Sequence, residues 1–309
     1  MEVHFDYNRY NVQRPVISTG VFDGVHKGHV EIFGRLNDVA RDVKGESVVV
    51  TFWPHPRLVL KQSISLKLLN TLDEKLYLLE KSKVQHVVIV PFTEEFSKLS
   101  SEYFITSILV EKLKVYHLIV GYNHHFGKDR EGTFELMHNV ASRYKFTVEK
   151  LEAKIIENEN VSATIIRNVL TKGDIEAARK FLGYDYMISG KIIEGNKIGK
   201  SLGFPTANVQ INFDFKCIPG EGVYAVEVDL SGIRYNGMLN IGYRPTLNTH
   251  ASPLSIEVHI LNFSGDIYGK DITLYFKQRI RNEMKFDNLE QLKQQLEKDK
   301  VKVAKILGA

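Results

Sequence analysis

Residues 15–30 read PVISTGVFDGVHKGHV. The first six form a short β-rich run, and Gly20 and Gly24 mark a turn directly after it. His26 and His29 stand three apart, so at the start of a helix they share one face. Val30, Phe33, Leu36, Ala40 and Val43 continue with helical spacing. Strand, glycine turn and helix in that order make one step of a doubly wound parallel sheet. Such sheets bind ligands at the carboxyl ends of their strands. Gly28 leaves room for a ligand to approach the backbone. Two imidazoles beside a helix N-terminus suit a polyphosphate, donating hydrogen bonds as charge builds on it. Two further readings stand beside this one. One is a helix start with solvated histidines; the other is a zinc pair, although no cysteine or carboxylate lies at ligand spacing.

Outward from this unit the same alternation continues. SVVVTFW (47–53), HVVIVPF (86–92), YHLIVGY (116–122) and KFTVEKL (145–151) read as further strands with helical segments between them. Helical stretches at 163–172 and 174–182 close this half. From Tyr184 the rhythm changes. YMISGKII, GVYAVEVDL, IRYNGMLNI, LSIEVHIL and DITLYFKQRI are β-rich, with turn signals such as Ser231-Gly232 between them. They predict a small antiparallel barrel or sandwich, ended by a charged helix near 287–298. The expected boundary falls near Gly183–Asp185, giving domains 1–183 and 184–309.

Composition sets the class. A chain of 309 residues, 43% hydrophobic and 25% charged, is expected to be soluble and to form about two domains. Its apolar runs are strand-sized, so no membrane span is expected, and the polar N-terminus MEVHFDYNRY lacks signal-peptide order. One cysteine, Cys217, rules out an internal disulfide and suits the cytoplasm. The charge of +4 is spread without basic blocks interleaved with aromatics, which argues against nucleic acid and suits small phosphorylated ligands. Oligomeric state is left open.

A second stretch, GNKIGKSLGFPTANV (195–209), misses the phosphate loop of P-loop enzymes by one residue. Only three residues separate Gly195 from Gly199, where that loop needs four, and Gly203 and Pro205 oppose the helix that must follow. Thr206 and Asn208, two apart, point the same way in extended chain. In LSIEVHI (254–260), Glu257 shares a face with Ser255 and His259, opposite Ile256, Val258 and Ile260.

GVFDGVHKGH resembles the G-x-FDG-x-H-x-GH motif of the nucleotidyltransferases, in the form carried by bacterial bifunctional riboflavin kinase/FMN adenylyltransferases, the FAD synthetases. TFWPHP (51–56), GYNHHFGKDREG (121–132) and VSATIIRNVL (161–170) resemble three further motifs of that family, in its order. By itself TFWPHP reads as a strand end broken by prolines, and Ser162 as a helix N-cap. Adjacent His124 and His125 cannot share one direction on a strand, which weakens a metal reading there. GKIIEGNKIGKSLGFPTANV (190–209) resembles the ATP-binding segment of riboflavin kinases, with its G-x-PTAN core. NIGYRPT (240–246) and RIRNEMKFDNLEQLKQQLEKD (279–299) resemble further segments of the same family.

The resemblance implies an α/β chain: a Rossmann-like nucleotidyltransferase domain with a parallel sheet, then an antiparallel β-barrel riboflavin kinase domain. His26 and His29 would bind ATP phosphates and stabilise the transition state at the α-phosphorus. Gly20, Phe22, Asp23 and Gly28 fall at ATP-binding positions beside them. Asn123 falls near the reacting phosphates, on the flavin side. Ser162, Thr164 and Arg167 would hold the outer phosphates, a task suited to the guanidinium fork of Arg167.

In the second half, Gly195, Gly199, Lys200, Gly203 and Pro205 would build an ATP loop that cradles phosphate with backbone amides rather than with a helix cap. Thr206 and Asn208 would hold ATP–Mg²⁺ through hard oxygen donors. Glu257 would act as base for the ribityl hydroxyl, and Arg281 would border the flavin. Two departures stand out: Val21 where the family often has Asn, and Ala163 in place of a second serine.

The implied activity is phosphorylation of riboflavin to FMN, then adenylylation of FMN to FAD with release of pyrophosphate. ATP, riboflavin, FMN and FAD would be its ligands and Mg²⁺ its metal. Two alternatives remain: a riboflavin kinase with weak or lost adenylyl transfer, and a non-catalytic flavin sensor.

Overall fold

The computed structural model describes the chain apart from residues 6, 8, 9, 62–65, 123–131, 153, 154, 157, 158, 196, 197, 244–253 and 309, and only the backbone of 156, 159, 198 and 200. The chain divides into two compact units, Met1–Ala163 and Thr164–Ala309.

The first unit is built on a sheet of six strands: β1 (Glu2–His4), β2 (Pro15–Thr19), β3 (Glu46–Trp53), β4 (His86–Pro91), β5 (His117–Val120) and β6 (Thr147–Lys150). Their order is β1-β4-β3-β2-β5-β6, and every pairing is parallel. Strand β2 is buried at all five positions, as expected where helices cover both faces of a sheet. Ile17, Val48, Val50, Val88 and Leu118 share one core with Phe104, Ile105, Leu109, Met137 and Val140. Helix α1 (Lys27–Asp42) buries Phe33, Leu36, Val39 and Ala40. Val30, expected on that face, is instead 44% exposed, because the helix begins at Lys27 and its buried stripe starts at Phe33. Helix α2 (Leu72–Lys81) opens with a capping box: Thr71 accepts from the Glu74 amide while Glu74 accepts from the Thr71 amide. Sequence neighbours β2, β3 and β4 run one way from β2, whereas β5 and β6 lie on its other side. The carboxyl end of β2 is therefore the topological switch point, where a ligand crevice opens.

The second unit contains helices α3 (Ala163–Thr171) and α4 (Ile175–Leu182) and strands β7 (Met187–Ile193), β8 (Ala207–Gln210), β9 (Gly222–Leu230), β10 (Ile233–Tyr243), β11 (Leu254–Ile260) and β12 (Asp271–Arg281). The strands close into a barrel in the order β8-β11-β10-β9-β12-β7, with every pairing antiparallel, so the choice between barrel and sandwich falls to the barrel. Residues near Gly183–Asp185 mark where the strands begin, but packing groups α3 and α4 with the barrel. The Gly220 amide donates to the Leu170 carbonyl (2.9 Å) and Arg279 donates to the Lys172 carbonyl (3.2 Å). Just after α4, Asp185 pairs with Lys277 of β12 at 2.7 Å. Helix α5 (Leu289–Leu307) runs further than the charge pattern suggested, because Val303, fully buried, joins Phe204, Ala225, Met238 and Ile280 in a second core.

Candidate active sites

At the switch point, the loop after β2 carries three left-handed residues among four. Phe22 (φ 50°), Gly24 (φ 85°) and Val25 (φ 39°) adopt left-handed backbone, which folds the chain back over the strand end. A Cβ at Gly20 would meet the Phe22 ring, and one at Gly24 would strike Leu69. Phe22 in turn packs edge-on against His29 (5.2 Å) and Phe33 (5.0 Å).

His26 caps α1 in extended backbone, and its carbonyl accepts from the His29 amide at 2.7 Å. The two imidazoles stack, 3.6 Å between centroids and 18° between planes. Gly28 lies between them in the first turn. Burial lowers the His26 pKa to about 4. Burial also holds His29 well below the usual histidine range, with further lowering from His26 and Lys75. Both rings are neutral at pH 7. The Nδ1 atoms of both are buried and have no hydrogen-bond partner among the described residues. Such atoms are costly to leave unpaired, and a bound phosphate oxygen would satisfy a protonated one.

Two residues that sequence reasoning missed brace this loop. Lys75 of α2 is buried and donates to the Val21 carbonyl at 2.8 Å. Thr51 of β3 donates to the same carbonyl at 3.2 Å. The Lys75 ammonium also lies 5.3 Å from the centre of the Trp53 ring, so TFWPHP supplies a wall. Burial lowers Lys75 to about 8, partly offset by Asp23, which leaves it charged at neutral pH. Asp23 accepts from the Leu69 amide at 2.9 Å and so ties the loop to the segment before α2. Asn70, next to Leu69, is fully buried, and its side-chain amide atoms have no hydrogen-bond partner among the described residues. Nothing local in the sequence marks a lysine 54 residues away as a brace of this loop. His55, within TFWPHP, accepts from the Arg57 amide and caps a short turn, a structural role.

Ser162 and Ala163 are half-buried at the start of α3. Thr164, exposed, and Arg167, half-buried, follow on that helix, in the second unit. Asn123, with most of GYNHHFGKDREG, lies outside the described residues.

In the barrel, the second site is built by register. Glu257 of β11 lies across from Asn208 of β8 and, on its other side, from Asn240 of β10. Its carboxylate accepts from Ser255 Oγ at 2.8 Å and from Thr206 Oγ1 at 3.4 Å. Ile256, Val258 and Ile260 are buried on the opposite face, as the alternation requires. His259, on the Glu257 side, donates through Nδ1 to the Pro205 carbonyl at 2.8 Å and packs against Phe204. Burial lowers its pKa. This bond holds the PTAN segment against β11.

Before PTAN, residues Ile198–Ser201 form one helical turn, so the chain does turn helical across Gly-Lys-Ser, for four residues only. Gly203 at φ 84° ends it, and the Phe204 amide returns to the Gly199 carbonyl at 2.8 Å. A Cβ at Gly199 would collide with the Phe204 carbonyl, and one at Gly195 with the Asn208 amide. The glycines therefore let the loop close onto the oxygen donors. The Lys200 side chain lies outside the described atoms. Arg281, expected near the flavin, donates to buried Asp299 of α5 at 2.8 Å and to the Asn282 carbonyl at 2.9 Å.

Paired imidazoles at a helix start in a parallel sheet are compatible with nucleotidyl transfer. A glycine loop beside a carboxylate in a closed barrel is compatible with phosphoryl transfer to an alcohol. The chain thus has the build of a two-domain ATP-dependent transferase. The comparisons with known proteins agree on its kind. Residues 9–165 match the FAD synthetase family model, and residues 182–307 match that of riboflavin kinase. A bifunctional riboflavin kinase/FMN adenylyltransferase of Haemophilus influenzae is 37% identical over 289 residues, 93% of this chain and 92% of that one. Those of Bacillus subtilis (37%; 93% and 90% covered) and Escherichia coli (34%; 95% and 93% covered) match similarly. A crystal structure from Streptococcus pneumoniae, described as a macrolide-efflux protein, shares the fold at a TM-score of 0.85 and 28% identity, with 96% of each chain covered. Among the described residues here, no helix is long and apolar enough to cross a membrane. The chain belongs to the bifunctional riboflavin kinase/FMN adenylyltransferases, with both the kinase and the adenylyltransferase activity.

Proposed function

We propose that each unit carries one step and that the residues above divide the work as follows. In the barrel, Glu257 takes the proton of the ribityl 5′-hydroxyl as that oxygen attacks the γ-phosphorus of ATP, giving FMN and ADP. Ser255 and Thr206 hold its carboxylate in place. Thr206, Asn208 and Glu257 offer hard oxygen donors, and the loop closes on Asn208 where a Cβ would not fit. These residues fit Mg²⁺, which neutralises phosphate charge when bound. Gly195, Gly199, Gly203 and Pro205 shape a loop for the phosphates, and Lys200 adds charge. Arg281, oriented by Asp299, borders the flavin.

In the sheet domain, the FMN phosphate attacks the α-phosphorus of a second ATP in line and expels pyrophosphate, giving FAD. His26 and His29 act as neutral donors to the oxygens on which charge builds. Gly20, Phe22, Asp23 and Gly28 shape their loop. Ser162 serves the leaving phosphates, and Asn123 the flavin side. A single buried cysteine suits work in the cytoplasm.

The observation that carries this reading is that the stacked histidines and the Glu257–Thr206 pair fall in different compact units with different folds. The test uses one variant of each. Glu257→Gln should lose about 10²–10⁴-fold in FMN formation while still converting supplied FMN. His29→Ala should lose about 10²–10³-fold in FAD formation and accumulate FMN. Product chromatography from riboflavin and Mg-ATP reads both. Equal loss of both steps in the folded His29→Ala protein would defeat the assignment of one reaction to each unit.

A further inference from the structure

Strand β1 pairs with β4 so that Glu2 lies beside His86, and His4, two residues on, returns to the same face of the sheet. Three side chains converge there. His4 Nε2 lies 3.1 Å from His86 Nδ1. Glu2 lies 3.8 Å from His4 Nδ1 through one carboxylate oxygen and 3.6 Å from His86 Nδ1 through the other. One ligand atom from each of the three can be chosen so that all lie within 4.8 Å of one another. In a tetrahedral zinc site with bonds of about 2.1 Å, donor atoms stand roughly 3.4 Å apart. Measured from His86 Nδ1, the separations to His4 Nε2 and to Glu2, 3.1 and 3.6 Å, bracket that figure.

The surroundings also suit a metal. His86 Nε2 faces Glu46 of β3 at 3.5 Å, while the second oxygen of Glu46 accepts from the Gln13 amide at 2.9 Å. An anchored carboxylate that draws the proton to Nε2 leaves the Nδ1 lone pair aimed at His4 and Glu2, the usual outer-shell device of metal-bound histidines. Tyr10 lies edge-on to His4, 5.4 Å between centroids, and its buried hydroxyl has no hydrogen-bond partner among the described residues. His86 opens β4 at the amino end of the sheet, whereas the His26–His29 loop follows the carboxyl end of β2. The cluster is thus outside the catalytic loop.

We propose that Glu2, His4 and His86 form a site for a borderline divalent metal ion, Zn²⁺ or Co²⁺, completed by water and braced by Glu46. Two imidazoles and one carboxylate select such ions over Mg²⁺, which prefers oxygen alone. Three side chains with an open fourth position are also enough to hold the ion without closing its coordination.

The test uses the untagged full-length protein, stripped with chelator and titrated with Co²⁺ by visible absorption, with Zn²⁺ added in competition. One equivalent of Co²⁺ should give the intense bands of a tetrahedral site, and Zn²⁺ should abolish them. Glu2→Gln changes a side chain that is 67% exposed, so its fold is not at risk, and it should weaken binding about 10-fold or more. His86→Ala should abolish the bands, and Glu46→Gln should weaken binding about 10-fold. The proposal fails if no tetrahedral spectrum appears. It also fails if Glu2→Gln and His86→Ala bind as the parent does, or if binding is lost instead in His26→Ala. In those cases the cluster is only a hydrogen-bonded histidine pair with a surface carboxylate.

Discussion

The two candidate sites of this chain, one in each unit, are built from opposite materials. The sheet-domain site is a loop of left-handed residues held in shape from outside, by Lys75 and Thr51 on the Val21 carbonyl and by Asp23 on the Leu69 amide. At its centre stand buried, neutral rings. The barrel site needs little bracing because strand register places Asn208 beside Glu257. At its centre stands a carboxylate among hydroxyls. A site made by a loop depends on distant braces; a site made by register depends on the strands themselves.

That contrast can be broken in four ways, the largest effect first. Asp299→Ala leaves Arg281 partly buried without its carboxylate, at a cost of about 3–5 kcal/mol to the barrel. Kinase activity should then be lost at much lower urea, while conversion of supplied FMN persists to the parent's urea concentration. Next comes acid. His26 takes up a proton near pH 6.5 when unfolded and only near pH 4 when folded, so the unfolded chain binds more protons between those values. The resulting stability is complete above about pH 6.5 and is lost as pH falls toward 4, by up to about 3 kcal/mol. Urea titrations across that window, followed by the fluorescence of Trp53 in the first unit, should show the slope, and His26→Gln should lessen it, leaving the share that His29 contributes.

Gly195→Ala pushes a methyl into the Asn208 amide and should lower kinase kcat/KM about 100-fold. FAD formation from FMN would stay at the parent rate; a parallel fall would show that the sites are not independent. Smallest is Lys75→Met, which keeps the side chain's length but not its bond to Val21. Steady-state FAD formation should drop about 10-fold with the Tm held or raised, since a buried charge has been removed. A lowered Tm with unchanged kcat would make Lys75 a stability residue only.

Much of this was legible in the sequence because it is local or periodic. The five longer strands of the sheet announce themselves by β-branched runs, and both candidate loops by glycines at fixed offsets. Glu257 could be placed on its face by counting in twos. What stayed hidden depends on distance along the chain. Strand β1 is only three residues, EVH, too short to show a period, and it gains its place by pairing with residues 86–88. Barrel closure rests on the pairing of β7 with β8 and β12, which no local pattern encodes. The grouping of α3 and α4 with the barrel hangs on bonds to Leu170 and Lys172 from residues far downstream. Lys75 reads as one more charge on an amphipathic helix until its tip is seen at the Val21 carbonyl.

The Lys75 bond is addressed to the main chain, and so it is indifferent to which amino acid stands at position 21. Valine there, where relatives of the motif often have asparagine, leaves the brace intact. Evolution is thereby free to drift at that position and adjust what the pocket tolerates, without rebuilding the wall behind it.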